Sequence, residues 1–381
     1  SGDQGILAIL AGTYLGRLSR RGQRNMNEKD IVGREIEGAL HKPRRQLAMV
    51  FDLNKCLGCH TCAISCKRQW TREEGMEQQW WAVVNTQPGL GTPKNWENLG
   101  GGWDAKGQPR ASKIPTRDEF GDAWTFNKDE VFHGGKGKVT YLKPVTTKGE
   151  TPDWGPNWDE DEGGGVYPNS HFFYLPRICN HCTHPACLEA CPRGAIYKRA
   201  DDGIVLINDK QCKGFRFCME ACPYKRIYYN HVRDVGQKCI FCFPRVEKGV
   251  APACARQCPG RLRFVGYLHD EAGPIHKLVH QWQVALPLHQ EYGTHPNVYY
   301  VPPMSPPSVD MNGRPDPSRP RIPLDYLEGL FGPRVKEVLA LLETEKAKKA
   351  KGQPSELMDL LIVYKWPTDI FPDFARDPAE L

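Results

Sequence analysis

Fifteen cysteines fall into four short groups and none lies outside them: Cys56, Cys59, Cys62 and Cys66; Cys179, Cys182, Cys187 and Cys191; Cys212, Cys218 and Cys222; and Cys239, Cys242, Cys254 and Cys258. An odd count and two-residue spacings suit chelation better than disulfide cross-linking. Zinc also uses C-x2-C pairs, and would bring a structural or nucleic-acid-binding role. "CLGCH" (56–60) matches a haem attachment motif letter for letter. Neither alternative accounts for the last cysteine of each group. Every group ends in C-x3-C, and in three a proline follows at once, at Pro192, Pro223 and Pro259. That is the bacterial ferredoxin run, in which three thiolates wrap one iron–sulfur cluster and the fourth reaches to its neighbour. The spacing favours iron–sulfur clusters over zinc or haem.

The third group is short by one ligand. "CKGFRFC" (212–218) has Phe215 where a further cysteine would complete the pattern. A 3Fe–4S centre needs one thiolate fewer than a 4Fe–4S cubane, so the group suits a three-iron centre, with the Phe215 ring expected to fill the vacated corner and keep water out. The other reading is a 4Fe–4S centre with water or hydroxide on its fourth iron. Fewer thiolates make a cluster less negative and a better electron acceptor. By ferredoxin crossing, Cys56, Cys59, Cys62 and Cys258 form one set, and Cys66, Cys239, Cys242 and Cys254 a second. Cys179, Cys182, Cys187 and Cys222 form a third, and Cys191, Cys212 and Cys218 the three-iron set.

The elements that must position these ligands repeat. "MVFDLNKC" (49–56) and "VLINDKQC" (205–212) each read as an apolar strand, then a polar turn, then cysteine. "CPRGAI" (191–196) and "CPYKRI" (222–227) read as helix starts after the last ligand. The fold class expected is α+β: two paired bacterial-ferredoxin-like modules, a large loop-rich insertion, and a C-terminal proline-rich arm with helices. The expected boundaries are an N-terminal extension (1–44), a first module (45–70 with 235–265), the insertion (71–172), a second module (173–234) and a C-terminal region (266–381).

The cysteine-free stretch between Cys66 and Cys179 holds eight of the ten tryptophans, at 70, 80, 81, 96, 103, 124, 154 and 158, and reads either as a large insertion with a small core of its own or as a docking surface. Eight prolines within 301–323 read as an extended arm. Helices are expected at 333–350, with Val335, Val338, Leu339 and Leu342 on one face, and at 354–365. His276 and His280 have a metal-compatible spacing but no third ligand, so a solvated helix face is expected there.

A net charge of +6 is too mild to argue for nucleic acid or a membrane surface. The 37 glycines and 32 prolines call for a loop-rich fold. No stretch reaches the roughly 18 apolar residues of a membrane span. "GILAILAGTYLG" (5–16) is short and precedes its basic residues, the reverse of a signal peptide, and Arg20–Arg21 lack the apolar run of a twin-arginine signal. A soluble protein without its own export signal is expected. No nucleophile–base pair or phosphate-cradling loop is apparent, so no catalytic residue is assigned.

The motifs "RQLAMVFDLNKCLGCHTCAISCKRQWT" (45–71), "WWAVVNTQPGLGTPKNWENLGGGW" (80–103), "CNHCTHPACLEACPRGAIYKR" (179–199) and "CKGFRFCMEACPYKRIYYN" (212–230) resemble the electron-transfer β subunits of molybdenum-bisMGD oxidoreductases. The nearest group contains nitrate, selenate, chlorate and perchlorate reductases and the dimethyl sulfide and ethylbenzene dehydrogenases. The resemblance covers about residues 43 to 300. It implies three 4Fe–4S clusters and one 3Fe–4S cluster conducting electrons between a Mo-bisMGD catalytic α subunit and a haem b γ subunit or membrane anchor. The family often has tryptophan where this chain has Phe215. The complex implied is an oxyanion reductase of the nitrate reductase type, a related dehydrogenase being the alternative. Formate dehydrogenase and polysulfide reductase subunits fit less well, since they usually bind four 4Fe–4S centres. The short core resembles extracytoplasmic members, which are co-exported with a twin-arginine-tagged partner; the alternative is the cytoplasmic face of the membrane.

Overall fold

In a computed structural model describing residues 43–134, 141–146, 149–152 and 163–380, the segment Leu47–Asp52 is buried at every position. An apolar run of that kind forms a strand covered on both faces. It lies inside a four-stranded sheet, antiparallel to Arg263–Tyr267 and parallel to Val298–Val301, with Leu286–Pro287 at the outer edge. A 3-10 turn, Leu53–Lys55, ends it and delivers Cys56. Asp52 closes that turn by accepting the Asn54 N–H at 3.1 Å. The expectations for 5–16 and Arg20–Arg21, and for Trp154 and Trp158, lie outside the described residues.

Two antiparallel hairpins carry the middle of the chain: Ile196–Lys198 with Val205–Ile207, and Ile227–Asn230 with Val235–Lys238. The helices expected to begin at "CPRGAI" and "CPYKRI" are not there. Short helices, Ala186–Glu189 and Phe217–Ala221, instead precede the last cysteine of their groups, and a turn and a strand follow it. Gly194 and Lys225 take positive φ, 61° and 50°, which a right-handed helix excludes. The β-branched and aromatic residues beyond, Ile196–Tyr197 and Ile227–Tyr228, suit a pleated surface.

Val83–Gln87 pairs antiparallel with Phe173–Arg177, tying together the two ends of the cysteine-free stretch. Trp80, Trp81, Trp96 and Trp124 are buried, Trp80 stacking on Trp124 at 4.6 Å. These four rings pack within the chain. The proline-rich stretch folds back as a hairpin, Pro307–Val309 against Pro315–Pro320. Helices follow at Leu324–Phe331, Val335–Ala350 and Glu356–Ile362, the first absent from the sequence reading. Val335, Val338 and Leu342 are buried, and Leu339 is partly so. Among the described residues no helix is long and apolar enough to cross a membrane.

Candidate iron–sulfur sites

Cys56, Cys59 and Cys62 lie on the loop between the Leu53–Lys55 turn and the helix Thr61–Trp70, which also carries Cys66. Gly58 has φ +64°, and a Cβ there would stand 2.4 Å from the Tyr174 ring, so the loop requires glycine. Burial pushes the Cys56 thiol up to about 11, opposed by Arg263, with Cys258 and Cys59 adding to the rise. It pushes Cys62 up to about 12, again opposed by Arg263, with Cys254, Cys258 and Cys56 adding. Cys258, some two hundred residues away in sequence, thus faces the first loop.

Cys66 faces elsewhere. Burial raises its thiol strongly, reinforced by Cys239, Cys242, Cys254 and Cys62. Cys242 is held at about 12 by burial, with Cys254 close by, and accepts the Trp70 indole N–H at 3.1 Å. Cys239 is raised by burial and by Cys179, Cys242 and Cys254.

Farther along, burial raises Cys182 to about 12, with Cys179 and Cys222 adding, and raises Cys187 beside Cys222, Cys179 and Cys182. Cys218 is raised by burial and by Cys191, Cys212 and Cys222. Backbone N–H groups donate to two of these thiols, Ala195 to Cys191 at 3.3 Å and Gly236 to Cys212 at 3.4 Å.

Phe215, expected to shield the vacated corner, is 56% exposed in the protein chain itself. The backbone explains why. Cys59 sits between Gly58 (φ 64°) and His60 (φ 53°), and Phe215 sits between Gly214 (φ 64°) and Arg216 (φ 61°). The two loops have the same residue spacing, so Phe215 occupies the position held by Cys59 in the first group. Cys59 is itself exposed. The vacated position is therefore on the rim, where a ring meets solvent.

All fifteen cysteines are free of disulfides. Among the described residues, no three or more His, Cys, Asp or Glu side chains are grouped so as to hold a single metal ion. His276 and His280 have rings 5.1 Å apart and gain no third ligand there. A multi-iron cluster makes a different demand, because its thiolates bind separate irons. Buried, mutually crowded thiols that resist ionising by themselves fit that cationic iron, whose charge offsets the thiolates.

The sequence reading missed the buried cations around these thiols. Lys198 donates to the Cys182 carbonyl at 3.2 Å, Lys238 opposes the rise at Cys187, and Lys225 stands beside Cys222. Arg263 faces the first loop. A signal was present: after each Cys-Pro turn a basic residue recurs within a few positions, at Lys198, Lys225 and Arg263.

Residues 170–268 match the family model of the 4Fe-4S dicluster domain. Over 324 residues the chain is 55% identical to the selenate reductase subunit beta of Thauera selenatis, covering 84% of this chain and 97% of that one. It is 52% identical to the dimethylsulfide dehydrogenase subunit beta of Rhodovulum sulfidophilum, covering 85% and 98%. With the respiratory nitrate reductase 1 beta chain of Escherichia coli (strain K12), identity is 33%, covering 82% and 83%. The chain belongs to this family of β subunits. It is an iron–sulfur electron-transfer subunit with a ferredoxin-like 4Fe–4S domain in a mixed α+β fold. In this β subunit the thiols of all four sequence groups are electrostatic neighbours in a row. Cys62 and Cys66 face Cys254, Cys239 faces Cys179, Cys187 faces Cys222, and Cys218 faces Cys191.

Proposed function

We propose that this β subunit conducts electrons through three 4Fe–4S clusters and one 3Fe–4S cluster, linking a Mo-bisMGD catalytic subunit to a haem-bearing or membrane-anchored partner. The ligand sets would be Cys56, Cys59, Cys62 and Cys258; Cys66, Cys239, Cys242 and Cys254; Cys179, Cys182, Cys187 and Cys222; and Cys191, Cys212 and Cys218. The observation that carries this reading is the unbroken row of thiols, since a wire needs each centre next to another. The bound clusters supply one-electron chemistry. The chain's own part is to hold the thiolates in place, keep most of them from water and set the charge around them. Two paired modules, 45–70 with 235–265 and 173–234, would hold the clusters, 71–172 being the insertion and 266–381 the C-terminal region.

The complex we favour is an oxyanion reductase of the nitrate reductase type, because selenate, chlorate and nitrate reductase subunits recur among the relatives. The dimethylsulfide dehydrogenase relative, at a similar identity, supports the dehydrogenase alternative. We also place the complex on the extracytoplasmic side, which cell fractionation tests.

Iron analysis and low-temperature EPR of the purified complex, oxidised and then reduced, test the wire. A three-iron signal that vanishes on reduction, with three further centres appearing, is expected from this subunit. Four reduced 4Fe–4S centres and no three-iron signal would overturn the assignment at Cys191, Cys212 and Cys218.

A further inference from the structure

Arg263 is 0% exposed. It pairs in register with Phe51 across the central sheet, its guanidinium carbon 4.4 Å from the centre of that ring. Its three side-chain nitrogens meet no oxygen acceptor, the Cys254 thiol being the group within hydrogen-bonding reach, and among the described residues no ion pair with a carboxylate involves it. A cation so placed is costly unless opposite charge faces it. What faces it is thiol: Cys62, Cys254, Cys258 and Cys56, in that order of strength. Three of these belong to the first proposed ligand set and Cys254 to the second. Guanidinium cannot lose its proton in a protein, so this charge is permanent.

We infer that Arg263 is a shared electrostatic element for two neighbouring clusters, raising the reduction potentials of both. The inference rests on the ligand sets proposed above. An added electron makes a cluster more negative, and a fixed buried cation stabilises that state over the oxidised one. Salt screens such a charge weakly, because no solvent reaches it. Lys198 near Cys182, Lys238 near Cys187 and Lys225 near Cys222 lie farther along the row. Lys55 near Cys258, Lys67 near Cys66 and Arg245 near Cys242 and Cys254 also lie by the first two sets, but none of them is fully buried as Arg263 is. The thiols that Arg263 faces all belong to those two sets, so its effect is confined to the first two clusters.

The test is an EPR-monitored redox titration of the whole complex with Arg263→Gln, which removes the charge and keeps a donor, and Arg263→Lys, which keeps the charge. The expected result is a fall in the midpoint potentials of two clusters in the glutamine variant, the other two unmoved, and potentials near those of the unmodified complex in the lysine variant. Unchanged potentials in the glutamine variant would overturn the inference, as would an equal fall in both variants or a fall spread over all four clusters. If the glutamine variant assembles without the two clusters while the lysine variant keeps them, charge is again the requirement. If both lose them, Arg263 serves packing alone and the inference fails. Cys258→Ser tests the ligand reading separately: loss or alteration of one cluster's signal supports that reading whatever Arg263 does.

Discussion

Trp70 donates its indole N–H to Cys242 Sγ at 3.1 Å, joining positions 172 residues apart. Trp70 ends the helix that carries Cys62 and Cys66, so one element supplies two thiols and a donor to a third. A donor to a ligand sulfur favours the reduced, more negative cluster. Trp70→Phe keeps an aromatic ring and removes the donor. The potential of one cluster should fall by roughly tens of millivolts, as expected from losing one hydrogen bond, with iron content unchanged. Redox titration with iron analysis checks both.

Phe215 stands on the loop position that Cys59 occupies in the first group, at a half-exposed rim. Phe215→Cys should therefore supply a fourth thiolate without opening a hole in the core. The three-iron EPR signal should disappear, a further reduced 4Fe–4S signal should replace it, and iron per chain should rise. Persistence of the three-iron signal in a folded variant would show that more than the missing ligand keeps the fourth iron out.

Arg177 is buried at 1% exposure, its guanidinium carbon 3.5 Å from the Trp96 ring centre. It donates to Asn85 Oδ1 and the Thr92 carbonyl, each at 3.1 Å, and to the Tyr224 carbonyl at 2.7 Å. It thus ties the insertion to the turn after Cys222. Arg177→Ala should destabilise the chain by about 3 kcal/mol or more, since it strands buried acceptors of a charged donor. A lower melting temperature of the complex and faster proteolysis within 80–98 would register it.

Glu345 bridges the last two long helices: Ser355 Oγ donates to Oε2 at 2.6 Å and Lys348 Nζ to Oε1 at 2.5 Å. Ser355 caps Glu356–Ile362 by accepting from the Met358 N–H. The bonds from Lys348 and Ser355 hold the carboxyl below its ordinary value. A depressed carboxylate contributes stability above its unfolded pKa, about 4.3, and loses it as pH falls through the lower folded value. Hydrogen-exchange protection across 335–362, taken relative to the intrinsic exchange rate at each pH, should be steady from neutral pH down to that region and then fall on further acidification. Glu345→Gln should exchange faster at neutral pH and lose that acid-induced step.

The local chemistry was readable from the residues alone because chelating spacing is a property of a few consecutive positions. The four cysteine groups, the C-x3-C endings and the replacement of a cysteine by Phe215 all sit within short loops. So do the strand into Cys56 and the helices near 335–350 and 356–362. Positive φ at Gly194 and Lys225 turned two expected helix starts into hairpins, a backbone choice that residue type does not dictate. The helix Leu324–Phe331 went unread because its apolar residues follow a proline-rich stretch that reads as extended.

The sequence by itself determined that this is an iron–sulfur chain with fifteen thiols in four groups, since ligand type and spacing are written locally. Only the tertiary structure decided what lies against those thiols. Arg263 reaches Cys56 and Cys62 through a sheet register, and Trp70 reaches Cys242 through the docking of a helix. Such contacts join residues far apart in the chain, and burial, which spacing cannot convey, sets how strongly each charge and donor acts.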